Sequence, residues 1–182
     1  YTTNQGWLDP YELLQREDPD GDQISSILSQ DGVQPKYSGA SIVLENGNIQ
    51  NEGVKGSGEH FMLGKVRHVP LPNQVTSEIA KVHASCEQIG PVRFEWVFDG
   101  TKLWVVQLHR GATISSETEI VPGHANEFVR FDPSQGLPEL KKAIGALPDG
   151  SGILLTKPIG FTSHFADVLR RWGRPSRFLS DD

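Results

Sequence analysis

Apolar and polar side chains alternate along two neighbouring stretches of the chain. Residues 92–98 read V-R-F-E-W-V-F and residues 103–109 read L-W-V-V-Q-L-H, with Asp99 and Gly100 at the turn between them. Alternation of this kind is typical of β-strands that have two unlike faces. The pattern therefore predicts an antiparallel hairpin.

The register of this hairpin is predicted from burial, because a slip of one residue moves every side chain to the opposite face. Pairing Phe98 with Trp104 collects apolar residues on one face. That face comprises Val92, Phe94, Trp96, Phe98, Trp104, Val106 and Leu108. The other register would bury a carboxylate among these residues, at a cost on the order of several kcal/mol. The favoured register places Glu95 opposite Gln107, with Cβ atoms about 5 Å apart.

A second hairpin and a further strand are predicted nearer the start of the chain. Asn46 and Gly47 form a turn signal between two segments, residues 40–44 and 48–54. The Asn-Gly pair favours a tight hairpin turn because it tolerates positive φ angles. The apolar run at residues 24–28, which follows an acidic loop, is interpreted as a strand.

An amphipathic helix is predicted between the two hairpins. Apolar residues recur at helical spacing at Val75, Ile79, Val82, Cys86 and Ile89. Asn73 or Thr76 is the predicted N-cap, and Gly90 with Pro91 is the predicted stop. His83 falls beside the apolar stripe, where a partly buried structural histidine is the favoured interpretation.

A strand followed by a helix is predicted near the end of the chain. Residues 152–156 read G-I-L-L-T and predict the strand. Phe165, Val168, Leu169 and Trp172 then follow the i, i+3, i+4, i+7 spacing of a helix that Gly173 closes.

Composition narrows the class of protein. The chain has 182 residues, of which 36% are hydrophobic and 22% are charged, so we expect one full core or two small ones. No apolar stretch approaches the roughly 20 residues of a membrane span, and the start of the chain lacks the features of a signal peptide. A net charge of −6 argues against binding to nucleic acid. We therefore expect neither a membrane nor a nucleic acid as partner.

Two further features concern charge and location. Arg170, Arg171, Arg174 and Arg177 form the one basic stretch, which is interpreted as a solvated helix end. The single cysteine, Cys86, favours a reducing compartment and a packing role, so a cytoplasmic location is expected. The chain begins with Tyr1 rather than Met, which suggests a piece of a longer protein.

Glu95 and Gln107 would offer hard oxygen ligands side by side on the polar face of the second hairpin. Mg²⁺ prefers such ligands and completes its shell with water and phosphate. Arg93 and His109, farther along the same face, would add positive charge for a phosphate group. From the pattern alone, a solvated strand face with an Arg-Glu pair is the favoured alternative.

Four short motifs in order resemble the ATP-grasp domain of the phosphoenolpyruvate synthase and pyruvate phosphate dikinase family. Residues 94–107 resemble its closing hairpin, which has an I-E-W strand and an L-x-I-V-Q-x-R strand. Upstream, residues 27–30, 38–40 and 56–59 read I-L-S-Q, S-G-A and G-S-G-E, and are similar to the family's V-L-V-Q, S-G-V and G-L-G-E.

This resemblance implies ATP and Mg²⁺ as cofactors. Glu95 and Gln107 would bind the metal, Gln30 would lie near adenine and Glu59 would lie by the phosphate loop. His109 stands where the family has an arginine, so a contact to phosphate from this position would require a protonated imidazole. The amino-terminal half of an ATP-grasp fold has no counterpart in this sequence, so it is expected as a partner.

The segment that contains residues 159–164, I-G-F-T-S-H, resembles the G-G-x-T-C-H-A-A segment of the family's swivelling phosphohistidine domain. The resemblance implies that His164 accepts phosphate from ATP, with Thr162 and Ser163 supplying hydroxyl contacts or the N-cap. A helix N-terminus suits an anionic phosphate because its N–H groups are free. The alternative, that Ser163 caps a helix and His164 only occupies its first turn, remains open.

These observations predict an α+β chain with an ATP-grasp-like antiparallel sheet, a packed helix and a small strand-helix-strand unit. The predicted domains are residues 1–114 and 124–182, joined by a linker at 115–123. The predicted function is that of an ATP-dependent phosphotransferase passing phosphate to a histidine or to an unknown small acceptor. The alternative is a catalytically inactive ATP-grasp-like binding or structural module.

Overall fold

The computed structural model describes residues 15, 18–22, 31–115 and 118–179. The chain divides into two compact units, Tyr1–Gln34 and Pro35–Asp182. In the first unit, the Asp18 carboxylate accepts hydrogen bonds from the backbone N–H groups of Gly21 and Asp22 at 3.2 and 3.3 Å. The strand predicted at residues 24–28 and the candidate residue Gln30 lie outside the described residues.

The second unit begins with an antiparallel sheet of four strands. These are β1 (Tyr37–Val43), β2 (Ile49–Lys55), β3 (Val92–Phe98) and β4 (Leu103–Arg110), in the order β2-β1-β3-β4. Both predicted hairpins are confirmed. In the first, Val43 pairs with Ile49 across the turn, where Gly47 adopts a φ of 87°.

Two helices lie between β2 and β3 in the sequence, α1 (Glu59–Met62) and α2 (Asn73–Ser85). The predicted amphipathic helix is confirmed as α2, although Pro72 rather than Asn73 or Thr76 occupies the N-cap position. The helix covers one face of the sheet, where the buried core comprises Val75, Ile79, Val92, Phe94, Trp96 and Phe98. Pro72 fits this position because its φ of −60° suits the entry to a helix.

His83 lies on α2 and is half-buried, as predicted. Its Nε2 atom is 2.7 Å from Ser41 Oγ, and its ring centroid is 5.0 Å from that of Phe94. Because the Ser41 hydroxyl donates its proton to Asn51 Oδ1, His83 serves as the donor to Ser41. Burial lowers the pKa of His83 below its ordinary value.

The predicted register of the second hairpin is right in one half and wrong in the other. Glu95 pairs with Gln107 as predicted, but Phe98 pairs with Leu103 rather than Trp104 because the register shifts between Glu95 and Trp96. This shift leaves Val106 as the extra residue of a β-bulge. Trp104 therefore shares a face with Glu95 and Gln107, not with the buried core.

The predicted apolar face of β4 remains exposed. Trp104, Val106 and Leu108 are 39%, 48% and 40% exposed, because β4 is the edge strand and the core under α2 reaches it only at Leu103. Burial therefore does not fix the register of β4 near the turn. The turn itself is held by Asp99, whose carboxylate accepts a hydrogen bond from Trp104 Nε1 at 2.8 Å.

The second sheet also has four strands, in the order β5-β8-β7-β6. They are β5 (Glu119–Val121), β6 (Glu127–Phe131), β7 (Ser151–Leu155) and β8 (Ser176–Phe178), with helices α3 (Leu137–Ala146) and α4 (His164–Trp172). Strands β6, β7 and β8 are parallel, and β5 is antiparallel to β8. The strand and the helix predicted near the chain end are confirmed as β7 and α4, and Gly173 ends α4 with a φ of 73°.

Residues 35–182 thus form an α+β unit with more structure in its last third than the predicted strand-helix-strand. The segment predicted as a linker, residues 115–123, contains β5. A core that joins both sheets includes Ile42, Leu44, Ile153, Leu155, Phe165 and Leu169. Among the described residues, no helix combines the length and apolar character needed to cross a membrane.

Candidate functional site

A row of four residues crosses the first sheet on the face opposite α2. Ala40 pairs with both Glu52 and Glu95, and Glu95 pairs with Gln107. Paired residues in an antiparallel sheet share a face, so all four side chains lie on the same side. Glu52 is 2% exposed, Glu95 is half-buried and Gln107 is exposed. The covered part of this face therefore ends between Glu95 and Gln107.

Glu95 has no partner within the part of the chain that the structure describes, either as an ion pair or as a side-chain hydrogen bond. Its neighbour Gln107 has its amide nitrogen 2.7 Å from His109 Nε2. The amide donates this bond, which turns its carbonyl oxygen to the other side. A carboxylate and an amide oxygen therefore remain as adjacent oxygen ligands at the border of the covered face.

Arg93 and His109 occupy the next paired position along the same face. Arg93 Nη1 forms a salt bridge of 3.1 Å with Asp167 Oδ1, on the first turns of α4. Because Asp167 is three residues after His164, the two are neighbours on the helix surface. The salt bridge therefore ties the strand that bears Glu95 to the end of α4 that bears His164.

His164 is exposed at the first position of α4. The Ser163 hydroxyl caps the helix by accepting a hydrogen bond from the Ala166 N–H at 3.3 Å and donates to Gly160 O at 2.6 Å. The structure thus agrees with the interpretation that Ser163 caps a helix whose first turn includes His164. It leaves the imidazole open to solvent, which a phosphate acceptor also requires.

The loop before His164 is fixed by Glu52, a residue that sequence reasoning missed. Its carboxylate accepts hydrogen bonds from the N–H of Phe161 at 3.1 Å and from the N–H and hydroxyl of Thr162, each at 2.9 Å. The Thr162 hydroxyl predicted to contact phosphate is therefore already bonded to Glu52. The sequence signal was weak, since Gln50, Glu52 and Val54 simply alternate with their neighbours on a strand.

Glu59 begins α1, a helix of four residues, and its side chain is exposed. The turn that precedes it is held close to the start of β1, because Ser38 Oγ donates to Gly56 O at 2.6 Å. The turn before Glu59 therefore lies at Ser38 of β1. Glu95 pairs with Ala40, two residues farther along the same strand. Within the described residues, no hydrogen bond joins Glu59 to Glu95.

The interpretation of the basic stretch as a solvated helix end is wrong for Arg170 and Arg174, whereas Arg171 and Arg177 are exposed as expected. The Arg170 side chain is only 8% exposed, and it donates to Asp167 Oδ1, Ser115 Oγ and Phe161 O. Arg174 pairs with Asp149 at 2.6 Å, and the Arg177 guanidinium lies 4.1 Å from the Phe128 ring centroid. These long side chains bind surrounding groups because α4 packs into the second sheet rather than projecting from it.

No group of three or more His, Cys, Asp or Glu side chains is arranged to hold a metal ion in the described ranges. A metal at Glu95 and Gln107 would therefore take the rest of its shell from water or phosphate, as Mg²⁺ commonly does. Comparison with protein-family models, curated proteins and solved structures finds no match for this chain.

Proposed function

We propose that this chain forms one wall of a Mg-ATP site in an ATP-dependent phosphotransferase. The observation that supports this most directly is the pairing of Glu95 with Gln107 at the border of the covered sheet face. Both side chains present oxygen atoms, and Glu95 lacks an ion-pair partner among the described residues. The amino-terminal half of an ATP-grasp domain would supply the opposite wall.

In this proposal Glu95 and Gln107 would hold Mg²⁺, which neutralises charge on the nucleotide phosphates when bound. His109 would interact with phosphate only when protonated, in which case it no longer accepts the Gln107 amide proton. Occupation of the site would therefore favour release of this hydrogen bond. Glu59 and Gln30 keep their proposed places by the phosphate loop and the adenine.

His164 is the proposed phosphate acceptor. A ring nitrogen would attack the γ-phosphorus of ATP, the bond from that phosphorus to the bridging oxygen would break, and ADP would leave. The Arg93–Asp167 salt bridge supports this role, because it holds the first turn of α4 beside β3. An alternative acceptor within the same proposal is a small molecule bound by the complete protein.

The test is a calorimetric titration of ATP into the chain combined with its amino-terminal half, with and without Mg²⁺. We expect affinity that depends on Mg²⁺ and falls by about tenfold or more in Glu95→Ala, the size expected when a charged contact is lost. Glu87→Ala is the matched control, because Glu87 is an exposed acid on the turn after α2. Equal affinity of wild type and Glu95→Ala would refute the metal assignment.

The proposed transfer of phosphate from ATP to His164, here called the relay, requires a separate measurement. After incubation with Mg-ATP, mass spectrometry should find phosphate on His164 in the wild type and none in His164→Gln. His124, which is also exposed, provides the control substitution His124→Gln, which should leave the phosphate in place. Absence of phosphate from the wild type would rule out the relay while leaving the nucleotide site untouched.

A binding or structural module without turnover is the second candidate. One observation favours it: the two hydroxyls next to His164 are already committed, Thr162 to Glu52 and Ser163 to Gly160. A phosphate on His164 would then have backbone N–H groups but few side-chain donors. This candidate predicts weak ATP binding without hydrolysis, unchanged by Glu95→Ala.

A further inference from the structure

A cleft of about 280 Å³ lies at the end of the β3–β4 hairpin, between residues 111–114 and α4. Among the described residues, its charged lining consists of Arg93, Arg110, Asp167, Arg170 and Arg171. Pockets for small organic ligands span about 300–1,000 Å³, so the volume of this cleft lies just below that range. It can hold a small ligand rather than a whole nucleotide.

The lining of this cleft is strongly cationic. It combines four arginines with one aspartate, although the chain as a whole has a net charge of −6. Arginine side chains repel one another when they are gathered around a partly enclosed space, because water screens their charges less there. An anion in the cleft would relieve this repulsion.

The single negative charge of Asp167 does not balance the positive charges of these four arginines. Its Oδ1 atom accepts hydrogen bonds from both Arg93 Nη1, at 3.1 Å, and Arg170 Nη1, at 3.2 Å. One carboxylate is thus shared by two guanidinium groups, and Arg110 and Arg171 remain in excess. Burial lowers the pKa of Arg170, as does the nearby Arg93 to a smaller extent, whereas Asp167 and Glu52 raise it.

The buried arginine is held rigidly before any ligand arrives. Arg170 is 8% exposed, and it donates to Ser115 Oγ at 2.9 Å and to Phe161 O as well as to Asp167. Arg110 is oriented by a bond of 3.1 Å from Nη2 to Ile89 O. Fixed guanidinium groups lose little entropy when they bind an oxyanion, so this arrangement is preorganised.

We propose that this cleft binds a small phosphate-bearing ligand. Guanidinium groups form paired, charge-assisted hydrogen bonds with phosphate oxygens, and several of them can surround one tetrahedral group. The site is distinct from the proposed metal pair, because it uses arginines from β3, β4 and α4 and none of the oxygen ligands of Glu95 or Gln107. It therefore binds phosphate without Mg²⁺.

The test is a titration of the isotope-labelled 182-residue chain with inorganic phosphate, followed by amide chemical shifts at constant ionic strength in sodium chloride. We expect saturable shifts confined to residues 111–114 and the arginine-bearing half of α4. Arg171→Gln and Arg110→Gln should each weaken binding about fivefold to tenfold, as expected for loss of one charged hydrogen-bonding group. Both side chains are exposed, so these variants should still fold.

Arg130→Gln is the matched control, since Arg130 is exposed on β6 and absent from the cleft lining. It removes the same charge and should leave the phosphate affinity within about twofold, the small change expected for a remote exposed charge. Non-saturating shifts in the wild type, or equal weakening by Arg130→Gln, would overturn the proposal.

Two further experiments distinguish binding at this cleft from binding at the proposed nucleotide site. Glu95→Ala should leave phosphate binding unchanged, so failure of one proposal does not imply failure of the other. ATP without Mg²⁺ is the second titrant, and it should bind the cleft no more tightly than inorganic phosphate. Much tighter binding of ATP at residues 111–114 would contradict a site for a small ligand.

Discussion

Replacing Glu52 with alanine would break the polar link between the first sheet and the loop that leads to His164. Two buried backbone N–H groups, of Phe161 and Thr162, lose their acceptor, and so does the Thr162 hydroxyl. Phe161 and Thr162 are 8% and 5% exposed, so water cannot readily replace the carboxylate. Each unsatisfied buried group costs about 1–3 kcal/mol, so three groups give about 3–9 kcal/mol. The lower part of this range, about 4 kcal/mol, is the expected loss in the free energy of unfolding, since single substitutions rarely cost more.

The assay is unfolding in urea followed by tryptophan fluorescence, because Trp96 is 1% exposed in the folded chain. With a slope of about 2 kcal/mol per molar urea, the midpoint should fall by about 2 M. Glu52→Gln should lose less, about 1.5–3 kcal/mol, since it keeps one acceptor oxygen but turns an amide donor toward other donors.

Glu45→Ala is the control for this series, because Glu45 is exposed beside the β1–β2 turn. It should change stability by less than about 0.5 kcal/mol. If Glu52→Ala also stayed within that limit, the carboxylate would not hold the loop, and the reasoning from its three hydrogen bonds to the loop would be refuted.

Three other predictions test separate parts of the fold. Burial lowers the pKa of His83, so the unfolded chain binds a proton that the folded chain does not, and the free energy of unfolding should fall as the pH drops below about 6.5. Urea unfolding of His83→Gln at several pH values should show a smaller fall. An unchanged fall would contradict this prediction. Lys157 and Ser134 lower the pKa of Asp132 to about 2, so stability from this carboxylate is present above about pH 4 and lost as the pH falls toward 2. Asp132→Asn should flatten that part of the acid unfolding curve, and an unaltered curve would count against the contact. In Gly53→Ala, the new Cβ would lie 2.7 Å from Ser38 O and 2.8 Å from the Trp96 ring, so thermal unfolding should show a loss of about 1–3 kcal/mol. Gly145→Ala on α3 meets nothing within 4 Å and should instead gain up to about 1 kcal/mol, and equal effects of the two glycine substitutions would refute the packing argument.

Local patterns were sufficient to predict much of the fold. Asn46 and Gly47 fixed the first hairpin because a tight turn needs a residue that tolerates positive φ. Alternation fixed the pairing of Glu95 with Gln107, because half of β3 must face the core under α2. These predictions held where burial leaves only one arrangement.

Predictions failed where burial of apolar side chains does not determine the strand register or the position of a residue in the fold. β4 is an edge strand, so the bulge at Val106 and the exposure of Trp104 cost little and could not be read from apolar alternation. Strand β6 was missed because it is an edge strand with exposed side chains, and α3 was missed although Leu137, Leu140 and Ile144 have helical spacing. Long-range contacts such as Glu52 to Thr162 join residues 110 positions apart and leave no local signal.

The arginines show the same limit for the candidate site. In the sequence, Arg93 and Arg110 are far from Arg170 and Arg171, and the last two were interpreted as solvated. The fold brings all four to one cleft because β3, the end of β4 and α4 meet there. A charge pattern along the chain does not reveal such a cluster when its members come from three elements.

The most direct test of the central claim uses Mn²⁺ as a paramagnetic substitute for Mg²⁺. Added to the labelled 182-residue chain, Mn²⁺ should broaden the amide signals around Glu95 and Gln107 first, and Mg²⁺ should reverse the broadening by competition. Glu95→Ala should abolish this local effect, whereas Glu87→Ala should retain it. Absence of broadening around Glu95 and Gln107, or identical broadening there in Glu95→Ala and the wild type, would show that the paired side chains do not bind a metal and would contradict the account.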